Sequence, residues 1–156
     1  MANREALHTG GCQCGAVRFA LYSEPFNPHI CHCRMCQKAS GAPFMAFASV
    51  NLENFAWTRA APSVFKSSLI AERGYCRDCG TPLSYRNIEN SWVSLSIGSF
   101  DTPDTVQPAL QLGAESRLAW FGKLHTLPEM ITEAGFKPGD HRKFESRQHP
   151  DFETDN

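Results

Sequence analysis

Cys31-His32-Cys33-Arg34-Met35-Cys36 places three thiols within six residues, and no other segment of the chain gathers soft metal ligands so densely. Along an extended backbone Cys31 and Cys33 project to one side. The two-residue step to Cys36 turns the chain back, so that three sulfurs can surround one ion. His32 then projects the other way, to the surface or to a supporting role behind the ligands, unless a bend in the backbone adds it as a fourth ligand. The difference decides the chemistry: three thiolates and an imidazole close a structural zinc site, whereas three thiolates alone leave the fourth tetrahedral position to water or substrate.

Two further pairs complete the seven cysteines. Upstream, Cys12 and Cys14 can share one ion if the strand conformation expected from Val17, Phe19 and Leu21 already holds there, because residues two apart face the same way. Downstream, Cys76-Arg77-Asp78-Cys79-Gly80 has the spacing of a zinc knuckle, in which both thiolates approach one ion across a tight turn. A redox dithiol of the same spacing prefers a strand-to-helix junction, and Pro82 with the strand-like Leu83-Ser84-Tyr85 speaks against a helix there. Joined, Cys12, Cys14, Cys76 and Cys79 make a complete four-thiolate set. An alternative keeps that single zinc and leaves Cys31, Cys33 and Cys36 as ordinary cysteines.

Composition bounds the rest. A chain of 156 residues, 42% of them hydrophobic, has material for one domain with a real core. Fifteen basic against sixteen acidic side chains give a net charge of -1, which offers no general draw toward nucleic acid or an anionic membrane. Two zinc dications on seven thiolates would make the balance more negative still. Residues 1–9 lack the apolar run of a signal peptide and no segment is long enough to span a bilayer, so the expectation is a cytoplasmic protein. An odd number of cysteines in that reducing compartment favours metal over disulfides.

The pattern elsewhere reads as strands: Val17 to Leu21 with one buried face, the apolar run Phe44 to Val50, a hairpin arm at Leu52, Phe55 and Trp57, Val64 to Lys66, Leu83 to Tyr85, and the alternation of Val93, Leu95 and Ile97. Gln37 to Ser40 reads as a short helical turn ended by Gly41. Leu118, Trp120 and Phe121 are expected in the core, and a short helix from Pro128 within 127–136. Residues 1–136 form the expected zinc-binding domain, and the polar residues 137–156 a weakly ordered tail.

Gly11-Cys12-Gln13-Cys14-Gly15, the stretch from Cys31 through Gln37-Lys38-Ala39-Ser40-Gly41, and Arg73-Gly74-Tyr75-Cys76-Arg77-Asp78-Cys79-Gly80 together resemble the glutathione-dependent formaldehyde-activating enzymes, whose domain is shared with centromere protein V. Weaker echoes are Ser96-Ile97-Gly98-Ser99-Phe100 and Trp120 with Leu127-Pro128. The resemblance implies a mainly β fold of antiparallel layered sheets, a β-tent with little helix. It implies a structural zinc on Cys12, Cys14, Cys76 and Cys79 and a catalytic zinc on Cys31, Cys33 and Cys36. The implied activity is that of a carbon-sulfur lyase or synthase, with a small thiol such as glutathione and an aldehyde such as formaldehyde as partners. His32, Arg34 and Lys38 are the proton-carrier candidates by closeness in sequence. The shared domain also supports a different class, a non-enzymatic zinc-stabilised module that binds a macromolecule.

Overall fold

The computed structural model describes residues 4–135, 137, 139–140 and 145–155. Among them the chain is mainly β. A small sheet is formed by β1 (His8–Gly11), β2 (Arg18–Leu21) and β5 (Phe55–Trp57), in the order β1-β2-β5. A larger sheet contains β3 (Phe26–Cys31), β4 (Met45–Asn51), β6 (Ser63–Lys66), β7 (Ala71–Tyr75), β8 (Pro82–Asn87), β9 (Trp92–Ser96) and β10 (Leu110–Leu112). Its order is β10-β3-β4-β9-β8-β7-β6, antiparallel throughout except where β10 joins β3 in parallel. One short α-helix, α1 (Arg34–Ser40), follows β3.

The apolar run expected as a buried strand is β4, which pairs with β3 on one side and β9 on the other. Pairing on both edges makes it an interior strand, and packing on both of its faces buries most of Met45–Val50, which is why its sequence is nearly continuous in apolar residues. The small sheet packs over this region: Phe19 and Leu21 meet Ala48, Val50, Val93, Leu95 and Phe100 in one cluster. The Phe19 ring stands edge-on to Phe100 at 5.3 Å and to Trp57 at 6.1 Å. Truncating a side chain buried this completely costs about 3–5 kcal/mol. Gly10 lets the layers approach, since a Cβ there would lie 2.3 Å from the Ser99 carbonyl oxygen.

Several sequence expectations change here. The strand begins at Arg18, and Cys12 to Val17 form a turn, so Cys12 and Cys14 are brought together by turn geometry instead of strand alternation. Both faces of β2 are buried, because Arg18 is covered by ion pairs with Asp101 and Glu153. Trp120 is half exposed, and Leu118 and Phe121 are only partly buried; a 3-10 turn over Phe121–Thr126 begins here, and the Phe121 ring packs against His32 and Phe44 and not in the main cluster. No helix starts at Pro128: residues 128–131 are irregular and a 3-10 turn follows at Thr132–Gly135, while Phe136 lies outside the described residues. The tail is tied at its far end. The His149 amide donates to the Gln13 carbonyl at 2.8 Å, and Arg59 donates to the Thr154 carbonyl at 2.5 Å. No helix among the described residues is long and apolar enough to cross a membrane.

Candidate metal centres

Cys12 and Cys14 sit in the turn between β1 and β2, and Cys76 and Cys79 in the turn between β7 and β8. The two turns share a design. In each, the first cysteine's amide donates to the carbonyl five residues ahead, Cys12 to Val17 and Cys76 to Thr81, both at 2.9 Å. In each, a glycine with φ of +78° follows the second cysteine, Gly15 and Gly80, and its amide returns to the first cysteine's carbonyl. A left-handed residue is what such a reversal requires.

The four sulfurs lie within 4.8 Å of one another, with Cys12 to Cys14 at 3.5 Å and Cys14 to Cys76 at 3.7 Å. Ligands at the usual zinc-sulfur distance around a tetrahedron are about 3.8 Å apart, so the donor set fits zinc. The thiols burden one another in a way a cation would relieve. The Ala16 amide draws the Cys14 thiol down, but desolvation and the three neighbouring thiols outweigh it and push the group up to about 12. Burial likewise pushes Cys76 up. Cys79 is brought down to about 6: desolvation opposes this, and hydrogen bonds from the Thr81 hydroxyl and amide prevail.

The second cluster is built from three elements in succession. Cys31 ends β3, Cys33 caps α1 by accepting the Cys36 amide on its sulfur at 3.4 Å, and Cys36 lies in the first helical turn. Gly41, with φ of +67°, ends the helix as the sequence indicates. The three sulfurs again lie within 4.8 Å of one another. The Cys36 thiol donates to Cys31, which holds Cys31 below the ordinary thiol range and raises Cys36.

Arg73, on β7, completes this cluster. Its Nη2 donates to the Cys36 sulfur at 3.4 Å, its Nε donates to the Ser67 hydroxyl at 3.1 Å, and its guanidinium lies 5.1 Å from the centre of the Tyr85 ring. It is only 7% exposed, its Nη1 is buried with no partner among the described residues, and it forms no ion pair with a described carboxylate. A buried cation needs a compensating charge. Three thiolates around a zinc dication carry one net negative charge, so Arg73 and such a centre neutralise one another.

The two clusters differ in what lies beside them. The three-cysteine cluster opens on a cavity of about 230 Å³ whose walls include His29, Phe47, Arg73, Tyr85 and Trp92. A larger cavity, of about 410 Å³, touches Cys12 and Cys79, but the donor set there is already complete. His32 belongs to neither cluster. It is fully buried, its Nε2 donates to the Gln111 side-chain oxygen at 2.9 Å, and its ring meets Phe121 at 4.6 Å. The surface position expected as one alternative is not found: the ring is buried and bonds to Gln111 instead of to a cysteine. Gln37 pins the same loop by donating to the His32 carbonyl at 2.7 Å and the Ser116 carbonyl at 3.0 Å. Arg34 and Lys38 are exposed and do not line the cavity. His29 and Arg73 do, although neither carries a ligand-like spacing that would reveal it in the sequence.

Two largely antiparallel sheets, joined where paired cysteine turns meet, with a four-thiol and a three-thiol cluster, define a β protein whose two clusters could each hold a metal ion. The pattern of the family described as "Glutathione-dependent formaldehyde-activating enzyme" matches residues 7–116, and the chain belongs to that family. An uncharacterised lyase of Schizosaccharomyces pombe is 31% identical over 87 residues, 54% of this chain and 63% of that protein's length. A crystal structure of a Rhodobacter sphaeroides protein has the same fold, with a TM-score of 0.54 at 19% identity, covering 66% of this chain and 98% of that one.

Proposed function

We propose that the protein is a zinc-dependent carbon-sulfur lyase or synthase acting on a small thiol adduct, with glutathione and formaldehyde the first pair to test. In this reading Cys12, Cys14, Cys76 and Cys79 hold a structural zinc, and Cys31, Cys33 and Cys36 a catalytic one. The observation that carries it is the contrast between a saturated cluster and a three-sulfur cluster opening on a cavity. The family match and the lyase name of the yeast relative support the reaction class. The chemistry needs free thiols, so we place the protein in a reducing compartment, the cytoplasm. We take residues 1–136 as the zinc domain and 137–156 as an appendage to it.

Cys31, Cys33 and Cys36 would hold the zinc, which with three thiolates would be a weak Lewis acid toward a carbonyl and would instead supply a lowered pKa to an incoming thiol. The chain's own residues set the conditions for that entry. Arg73 offsets the negative charge that accumulates when a further sulfur joins three thiolates. Gln37 and the cap on α1 hold Cys33 and Cys36 in register. In the forward direction a carbon-sulfur bond forms, the carbonyl π pair moves to oxygen, and the proton lost from the thiol ends on that oxygen. The lyase direction reverses each step.

The test is exchange between aldehyde, thiol and hemithioacetal, followed by NMR with glutathione and formaldehyde and then a panel of other thiols and aldehydes. Wild type should accelerate exchange beyond the uncatalysed rate, and folded Cys33→Ser protein that keeps its other zinc should not. Equal rates for the two across the panel, with no thiol perturbing the spectrum of cobalt-substituted protein, overturn the enzymatic reading in favour of a zinc-stabilised binding module.

A further inference from the structure

His29 occupies an unusual place in the fold. The pairing of β3 with β4 shifts register between Phe26 and His29, and Asn27 in that bulge has φ of +48°, the one non-glycine residue with positive φ among those described. A bulge re-aims a side chain, and a left-handed non-glycine residue costs roughly 1 kcal/mol or more, so the conformation is held by its surroundings. The bulge's product is a fixed imidazole. The Asn27 carbonyl can only accept, so the His29 Nδ1 donates to it, at 2.8 Å. The neutral ring then carries its lone pair on Nε2, which bonds to no described residue. His29 is 7% exposed, packs 5.8 Å from the Phe47 ring, and lines the cavity beside the three cysteines.

The rest of that cavity is mainly apolar. Phe47, Tyr85, Trp92, Met35 and Leu112 supply most of its walls; Asn27 and Ser94 also line it, the Ser94 hydroxyl already bonded to Ser49, and Arg73, the one charged side chain among its described lining residues apart from the cysteines, is committed to Cys36 and Ser67. No carboxylate of a described residue lines it, so an ammonium group finds no acidic partner there. At about 230 Å³ it is smaller than the roughly 300 Å³ at which pockets begin to enclose drug-sized ligands. A charged tripeptide such as glutathione therefore stays at the mouth. The space equals about eight water-sized groups, far more than the single carbon and oxygen that formaldehyde brings. Apolar walls hold water poorly and gain by burying carbon.

Resting on the thiol-adduct reading above, we propose that this cavity takes the carbon arm of a hemithioacetal formed from an apolar aldehyde, aliphatic or aromatic, with the adduct hydroxyl donating to His29 Nε2. The thiol's carrier lies outside and its sulfur sits at the cysteine cluster. Its proton, transferred to the former carbonyl oxygen as the carbon-sulfur bond forms, is the one that His29 accepts as a hydrogen bond. His29 selects an adduct that bears a hydroxyl over a plain thioether, and the walls select the substituent.

Binding tests this without turnover. Zinc-loaded wild-type protein is titrated by calorimetry with S-methylglutathione, S-butylglutathione and S-benzylglutathione, inert thioethers carrying increasing apolar arms. The butyl and benzyl compounds should bind at least about tenfold tighter than the methyl compound, the effect of a few buried methylenes. Leu112→Trp, which fills the cavity, should abolish the gain. NMR exchange with butanal and glutathione should slow at least about tenfold in His29→Phe at unchanged zinc content, with partial recovery in His29→Gln, whose amide oxygen can accept. Equal affinity for the three thioethers, with formaldehyde and glutathione still exchanging, overturns this inference and leaves the reaction class standing. No exchange with any aldehyde and no thioether binding removes both.

Discussion

Arg73 donates through Nη2 to the sulfur of Cys36 across 3.4 Å, a buried cation facing a thiol cluster with no described carboxylate in ion-pair reach. The arrangement makes the cluster's metal affinity depend on a residue of β7 that is not itself a ligand. Replacing Arg73 by methionine keeps much of the stem's packing and removes the charge. Residues supporting metal ligands typically change affinity by about 10–100-fold, and the expected loss lies in that range. Competition with a coloured chelator should show one of two metal equivalents weakened in Arg73→Met and the other unchanged. Two unchanged equivalents would mean that the guanidinium does not stabilise the thiolates.

The unequal clusters also predict an order of metal release. Four thiolates saturate one ion, whereas three leave the other open to an entering chelator. Zinc-replete, reduced protein should hold two ions per chain and release one under mild chelation while its circular dichroism stays native. One ion at saturation, or both lost together with unfolding, contradicts the assignment.

Cys76→Ser and Cys33→Ser should fail differently. Cys76 is fully buried and its cluster joins the turn after β1 to the turn after β7, so its loss opens a clip between distant parts of the chain. Melting of Cys76→Ser should fall by about 10 °C or more, since each kcal/mol is worth about 2–4 °C in a domain of this size. Cys33→Ser should lose exchange activity with a smaller melting change. Equal melting losses would reverse the division of roles.

The two cysteine groups are legible in the sequence because thiol spacing is a local signal, and β4, β8 and β9 are legible because apolar residues mark their buried stretches. Other features depend on pairings across the chain. Arg73 and Gly74 in β7 are both buried, so that strand carries no alternation, and Arg73 reads as a surface residue until Cys36 is brought to it. Pro28 in β3 signals a turn by its chemistry, yet it lies at a bulge where a missing amide donor is tolerated. Arg18 looks solvent-facing by period because its carboxylate partners lie at Asp101 and Glu153. His32 is correctly turned from the cysteines by alternation, but only the fold reveals that Phe44, Gln111 and Phe121 cover it.

The Arg18 and Asp101 pair predicts an acid response. Arg18 Nη1 and Nη2 donate to the two Asp101 oxygens at 2.9 and 2.5 Å, and both side chains are buried. Burial alone would raise the Asp101 carboxyl, but donation from Arg18 and Thr9 outweighs it and holds the group below the usual carboxylate range. A depressed folded value means that the contribution is complete above the unfolded value of about 3.9 and is lost as pH falls through the folded value. Asp101→Asn should lose about 3 kcal/mol near neutral pH, as when one partner of a buried pair is removed. Its stability should then depend less on pH below about 4 than that of wild type. Parallel acid profiles for the two proteins, measured by urea unfolding, would contradict the linkage.

His149 donates its amide to Gln13, between the ligand-type residues Cys12 and Cys14, and its ring lies over Gly15, where an added Cβ would come within 2.3 Å of it. Glu153 accepts from Arg18 Nε at 2.8 Å, and Thr154 accepts from Arg59. These contacts stitch residues 149–154 across the turn that presents two of the four sulfurs, although the segment's polar composition offers no core of its own. Removing residues 145–156 leaves the sheets and both cysteine clusters in place, so the truncated protein should still fold and bind two ions. The closed cluster should become easier to strip, because opening the Cys12 to Gly15 turn no longer requires releasing the tail. Release of the slower metal to excess chelator should accelerate several-fold, while the faster phase, from Cys31, Cys33 and Cys36, keeps its rate. Acceleration of the fast phase alone would show that the tail acts on the open cluster instead, and unchanged kinetics in both phases would show that it guards neither.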